Sequence, residues 1–435
     1  MKKLCLFAVA LALCAPSAYA ADLYVSLSTG KNSNAGTQAE PLKNLWKALE
    51  KAQPGDTIHI AEGLYPGKMR CGWFAMKQPV NLIGGYNADF SARDPLKYQT
   101  LLQPDIKNND KKGMFGILEI VFRNTSGYAI TIDGLLFNDG YASSFHATKG
   151  KPEGVETGMW LPPPAKGQND PFPSRDRYML YASFDSSTQG DLTIKNCAFV
   201  NGGNFGAEIG MFKGKVEMVN NIFVNNRMVA ANVTSKNAKA GEVSWVFKNN
   251  TVLFTWSRLS DYADMGYGVR ANTNVIADFN HNIFGLNVGT GMDNTLGNMK
   301  TKKIALDNNV FFLNKTSDVQ MTMSPNIVKV NVDLFEDLEG TDGIESITGN
   351  IDLQDPTVFA GRINPAYLDA FLNASYAEAT FHNPNSPANV LRSVLGLPQR
   401  GVMVTKVSMF ANRYPFNEAL RLFGAMPKYG AQEIK

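Results

Sequence analysis

The chain has 435 residues, 42 of them basic and 39 acidic, with 44% hydrophobic residues and four cysteines. A balance this near neutral supplies no basic patch for nucleic acid and no charge asymmetry for an anionic membrane. Four cysteines are too few for a disulfide-stapled scaffold, so the composition is that of a globular chain rich in Gly and Asn.

In chain order, Met1 to Ala20 reads as a secretory signal. Lys2 and Lys3 give the positive end, Leu4 to Cys14 the apolar run, and Ala18-Tyr19-Ala20 the small-x-small site before Ala21. The run is too short to cross a bilayer, and no later segment is long enough to be a transmembrane helix. The expectation is a periplasmic, secreted or cell-surface protein cleaved after Ala20. Cys71 and Cys197 remain, and an oxidising compartment permits a disulfide between them without requiring one.

Residues 21–56 have their own organisation. Leu23 to Leu27 alternates as a strand, a Gly/Asn/Ser loop follows, and Pro41 opens a helix with Leu42, Leu45, Trp46 and Leu49 on one face. Pro54-Gly55-Asp56 then turns into Thr57-Ile58-His59-Ile60. Such a helix would close the end of a stack of strands whose bare edges would otherwise aggregate.

From residue 57 to 335 one phrase recurs. KVEMVNNIFVNN from Lys215 is matched by LTIKNCAFVN from Leu192, WVFKNNTVLF from Trp245, ADFNHNIFGLN from Ala277 and IALDNNVFFLN from Ile304, with a weaker ITIDGLLFND from Ile130. The first polar corner of each copy falls at Asn196, Asn220, Asn249, His281 and Asn308. This spacing suits neither leucine-rich repeats nor propeller blades, and the alternation before each corner has the period of a strand. A short strand with one inward face cannot bury itself, so the repeat implies stacked coils of an all-β, single-stranded parallel β-helix. At the corners Asn tolerates the left-handed backbone region and its amide can bond to the coils above and below. Ile222, Val252, Ile283 and Val310, with Phe199, Phe223, Phe284 and Phe311, are expected to stack inside. His281 and His59 read as structural.

Two insertions interrupt the repeat, over 141–190 and 255–272. The first carries Trp160, Phe172, Tyr178 and Tyr181, whose rings either stack on sugar faces or anchor the insertion on the solenoid. The second packs Trp256, Arg258, Asp261, Tyr262, Asp264, Tyr267 and Arg270 together. Residues 336–435 hold a last coil and a partly helical cap or tail, with helices expected after Pro365 and after Pro415.

The run YVS..G.N.N.GT...PLK.L..AL..A.PGDTIHIAEGLY, then VNLIGGYNADFSARDPLKYQTLLQPD from Val80, ITGNIDLQDPTVF from Ile347 and KYGAQEI from Lys428, resembles secreted right-handed parallel β-helix proteins of the pectate-lyase-like superfamily. Many of these carry the first segment as a domain of unknown function. The resemblance implies a right-handed solenoid and is weak for function, because the group includes lyases, hydrolases, epimerases, adhesins and proteins without known activity. Uronate lyases of the group use calcium or a basic side chain to neutralise the substrate carboxylate, and a base to remove the adjacent proton. Candidates here are Arg270, Asp261 and Asp264 for chemistry, with Trp256, Arg258, Tyr262, Tyr267, Glu208 and Trp160 for substrate contact. Glu208, Asn232, Arg270 and Thr290 hold equivalent places after successive corners and would line one outer face. Calcium has carboxylates to draw on in Asp261, Asp264, Asp278 and Asp293, but no dense acidic motif.

The sequence thus supports a monomeric exported β-helix that binds polysaccharide along a lateral groove, with uronate lyase ahead of glycoside hydrolase if it cleaves. No catalytic set matches residue by residue. The alternative is a non-catalytic periplasmic or cell-surface protein whose insertions bind protein.

Overall fold

A computed structural model of the chain describes residues 20–68, 72–104, 115–139, 178–256, 265–375, 383–399 and 413–434. All but the last residue of the segment read as a signal, together with Cys71 and the bodies of both insertions, lie outside them. The described strands form three sheets of ten, nine and nine strands. Each turn of the chain visits the sheets in the same order, as in Gly214–Val219, then Ile222–Val224, then Val229–Ser235. Every pairing between coils is parallel, as in Val216 beside Trp245 and Trp245 beside Ala277. Among the described strands only Asn326–Val330 runs antiparallel, added at the edge of its sheet against Ser317–Met323. This is a parallel β-helix.

The interior follows from the two-residue alternation of strands. In the first sheet Val216, Met218, Trp245, Phe247, Ala277 and Phe279 point inward among the core residues. In the second sheet the inward column is Phe137, Phe199, Phe223, Val252, Phe284 and Phe311. Phe199 stacks on Phe137 and Phe223 with centroids 4.8 and 4.7 Å away. Each fully buried Phe contributes roughly 2–3 kcal/mol of apolar burial.

Two expectations need correction here. Val252 belongs to the phenylalanine column, because the residue beside Ile222 and Ile283 is Thr251. Ile222, Ile283 and Val310 do not face the interior. They lie on the outside of the second sheet, in a separate apolar cluster with Phe359, Tyr367, Leu368, Phe371, Leu391 and Leu422. The C-terminal segment, with helices at Pro365–Ser375, Pro387–Val394 and Phe416–Ala419, therefore packs on that face.

The corners divide their work between adjacent residues. Asn196, Asn220, Asn249, His281 and Asn308 all have φ between 52 and 59°, the region Asn tolerates best after Gly. The next residue carries the continuous bonding between coils, to which Asn220 Nδ2 adds a bond to Asn196 Oδ1 at 2.7 Å and Asn196 Nδ2 one to Asp133 Oδ1 at 2.8 Å. Asn221, Asn250 and Asn282 each donate backbone N–H and side-chain amide to the Oδ1 of the following coil's Asn, at 2.9–3.2 Å. Asn309 continues this to Asn350, and the N–H of Cys197 bonds to Asn221 at the other end. Cys197 is buried with a free thiol.

At the N-terminal end the helix is Leu45–Lys51, shorter than its sequence pattern. Leu42 instead bridges to the first strand, its N–H bonding to Tyr24 and its carbonyl to the Ser26 N–H. Both insertions also end earlier than expected, since Tyr178–Ser183 and Tyr267–Ala271 are strands of the third sheet.

Candidate functional site

The third sheet turns alternate residues outward. Ala207, Ala231, Val269 and Met292 point into the core, so Glu208, Asn232, Arg270 and Asp293 lie on the outer face in direct register. Tyr181 precedes this column and Gln320 follows it. The small residue before each inward one lets the coils close up. A Cβ on Gly206 or Gly268 would meet the next coil's carbonyl oxygen at 2.5 Å.

Glu208 Oε2 accepts from Asn232 Nδ2 at 2.8 Å. Burial raises the Glu208 carboxyl to about 7, against the opposing pull of that hydrogen bond, Arg270 and Lys236. Burial also lowers the Lys236 ammonium, which donates to Ser183 Oγ. On the other side of Asn232, Arg270 Nε donates to Asp293 Oδ2 at 2.5 Å, with the two side chains 10% and 0% exposed. Asp293 Oδ1 accepts from Gln320 Nε2 and Thr295 Oγ1, each at 2.8 Å. The Arg270 guanidinium lies over the Tyr267 ring, 4.8 Å from its centroid, a cation–π contact that holds it in place. On the inner side, Lys302 Nζ donates to the Ala271 carbonyl and to Asn294 Oδ1, and burial pushes its ammonium down to about 7. Beyond Glu208 the rings of Phe115, Tyr181 and Tyr178 stack in sequence at 5.4 and 5.1 Å. The face thus combines a carboxyl raised by burial, a fixed cation and aromatic surface within a few rungs of about 4.8 Å.

Of the residues singled out from sequence, Glu208, Tyr267 and Arg270 come together here. Asp261, Asp264, Arg258, Tyr262 and Trp160 lie outside the described residues. Trp256 is elsewhere. Its indole is fully buried, donates to Asn225 Oδ1 at 2.8 Å and packs edge-on against Phe371, so it anchors the C-terminal segment and has no surface for a sugar. Thr290 is also misplaced, for it pairs with Ser317, and Asp293 takes the place in line with Arg270. Asp278 sits on the first sheet in register with Ala305, where burial and then the Asp307 charge raise its carboxyl. Among the described residues no three His, Cys, Asp or Glu side chains converge, and Asp293 is already occupied by Arg270, Gln320 and Thr295. The described candidate carboxylates, Asp278 and Asp293, therefore do not form a calcium site between them, and Asp261 and Asp264 lie outside the described residues. Lys302 and Gln320 escaped the sequence reading. The signal that finds the column is a recurring small–apolar–polar triplet: Gly206-Ala207-Glu208, Ala230-Ala231-Asn232, Gly268-Val269-Arg270 and Gly291-Met292-Asp293.

Residues 28–90 match a family model described as a protein of unknown function, DUF1565, in the segment where the resemblance implied such a domain. No curated protein matches the chain. Among solved structures it is similar to pectate lyase Pel9A, at 13% identity over 89% of each chain with a TM-score of 0.35. A rhamnogalacturonan lyase aligns at 13% identity over 71% of this chain and 86% of its own, TM-score 0.31. A GH136 lacto-N-biosidase from Eubacterium ramulus aligns at 12% identity over 76% of this chain and 67% of its own, TM-score 0.31. The parallel registers described above establish the fold independently of these likenesses.

Proposed function

We propose that this is an exported β-helix protein whose third sheet binds an acidic polysaccharide, and that Glu208 and Arg270 supply the two elements of a uronate β-elimination. The observation that carries the reading is the register of Glu208, Asn232 and Arg270 on one outer face, with Glu208 raised to about 7. A carboxyl that ionises near neutrality is matched to proton abstraction, while an arginine fixed by Asp293 and Tyr267 is a preorganised partner for a carboxylate. With the uronate carboxylate on Arg270, ionised Glu208 would take the proton from the adjacent ring carbon. The electrons of that C–H bond form the ring double bond as the C–O bond to the departing sugar breaks, and that oxygen takes a proton from solvent. The stacked Phe115, Tyr181 and Tyr178 offer apolar edges to the rest of the polymer.

The test is incubation of the mature protein with uronate polymers, following the ultraviolet absorbance of the unsaturated product. Wild type should generate it, and Glu208→Gln should lower the rate at least about 100-fold while binding is kept. Binding without product in both proteins would remove the elimination and leave a binding groove. One observation favours a second, non-catalytic reading in which the insertions bind protein: Asp293 ties Arg270, Gln320 and Thr295 into a closed internal network. Failure to bind any uronate polymer would select that reading.

A further inference from the structure

We infer that Asn232 is a specificity-determining residue of this site, reading a free ring hydroxyl next to the carboxylate that Arg270 holds. The inference rests on the binding reading above and goes beyond it by fixing the chemistry of the bound unit. Asn232 is 2% exposed, yet its Oδ1 has no hydrogen-bond partner. Its amide orientation is fixed from the other end, because Nδ2 donates to the Glu208 carboxyl at 2.8 Å and to Thr234 Oγ1 at 3.2 Å. The carbonyl is therefore turned away from Glu208. Asn232 stands one rung from Glu208 and one rung from Arg270, so an acceptor wanting a hydrogen lies between an acid–base group and a cation.

A buried acceptor left unpaired is costly, and a ligand that supplies the missing donor recovers that cost on binding. Arg270 and Lys236 both carry donors only, and Glu208 is already served by Asn232, so the complementary ligand brings one anion and one O–H about a rung, ~4.8 Å, apart. A hydroxylated sugar acid has both. A polymer of bare carboxylates has only the first, and it should be rejected because it leaves the Asn232 carbonyl unpaired.

The experiment compares dissociation constants for polygalacturonate and for polyacrylate, a polyanion without hydroxyls, by titration calorimetry. Wild type should prefer polygalacturonate. Asn232→Leu, which keeps the volume and removes the acceptor, should lower that preference roughly ten-fold, about the worth of one hydrogen bond. Asn232→Asp keeps an acceptor oxygen. Its added charge weakens both polyanions alike, so the ratio of the two constants should stay near wild type. An unchanged ratio in the leucine variant, or a collapsed ratio in the aspartate variant, overturns the inference while leaving the binding reading intact. Wild type that binds neither polymer overturns the reading beneath it.

Discussion

Two polar columns run along the same solenoid, and they are built to opposite ends. Asn221, Asn250, Asn282 and Asn309, at the corner between the first and second sheets, are fully buried, uncharged and bonded coil to coil. Glu208, Asn232, Arg270, Asp293 and Gln320, on the outside of the third sheet, use the same stacking with a different residue on every rung. The first column satisfies its own groups and has no chemistry left over. The second holds a carboxyl raised to about 7, a paired arginine and an unpaired carbonyl. A repeat that keeps one residue type is maintaining the stack, and a repeat that varies it on one face is making a surface.

The harshest way to break this contrast is Arg270→Ala. Asp293 would stay fully buried with its counter-charge gone, and breaking such a pair costs about 3–5 kcal/mol. Urea unfolding should show that loss, and a cost below about 1 kcal/mol would mean the pair is not held as described. Asn282→Ala comes next, at roughly 3 kcal/mol. It removes the acceptor for two Asn250 donors and the donor for the Phe247 carbonyl. Nothing in that column titrates, so the loss should be equal on either side of neutrality.

The third test uses pH. The Glu208 carboxyl moves from its ordinary 4.5 to about 7 in the folded chain. The neutral form is the one folding prefers, so its contribution is complete below about 4.5 and is lost as pH rises through about 7. Allowing for its partial exposure this amounts to about 2 kcal/mol. Lys302, lowered from 10.5 to about 7, acts with the opposite sign. Its contribution is present above the unfolded value and is lost as pH falls through about 7. Glu208→Gln should therefore gain stability relative to wild type between pH 4.5 and 8 by thermal unfolding. Parallel curves for the two proteins would place Glu208 in water.

The stacking was legible because equivalent corners favour the same residues: Asn220-Asn221, Asn249-Asn250 and Asn308-Asn309 repeat the pair whole, and the corners after the two insertions, Asn196-Cys197 and His281-Asn282, each keep one half of it. Which apolar column faces which side was not legible. Counting from the corner puts Thr251 beside Ile222, but a polar residue there looks like a break in the pattern, and Val252 was drawn into its place. The structure gives the reason for the threonine: Thr251 Oγ1 accepts the N–H of Ala431 from the C-terminal segment at 2.9 Å. That contact joins residues 180 apart in the chain and leaves no local trace. A long sequence separation likewise hid the burial of Trp256 under Phe371, while Glu208 and Arg270 stood out because a charged residue in a strand of small apolar neighbours is conspicuous in sequence.

The smallest effect separates the two residues of one corner. Asn249 has φ 52°, and its amide donates to the carbonyls of Lys428 and Gly430, at 2.8 and 3.3 Å. Asn249→Ala meets both losses, the left-handed backbone and the tether, at about 1.5 kcal/mol. Asn249→Gly keeps the backbone at ease and loses the tether alone, so it should cost under about 1 kcal/mol. If both variants release the C-terminal segment to limited proteolysis while only the alanine lowers the melting temperature clearly, the corner and the tether are separate functions of one side chain. Equal melting temperatures would mean that the left-handed turn carries no strain, and the preference for Asn at these corners would then come from the bonds alone.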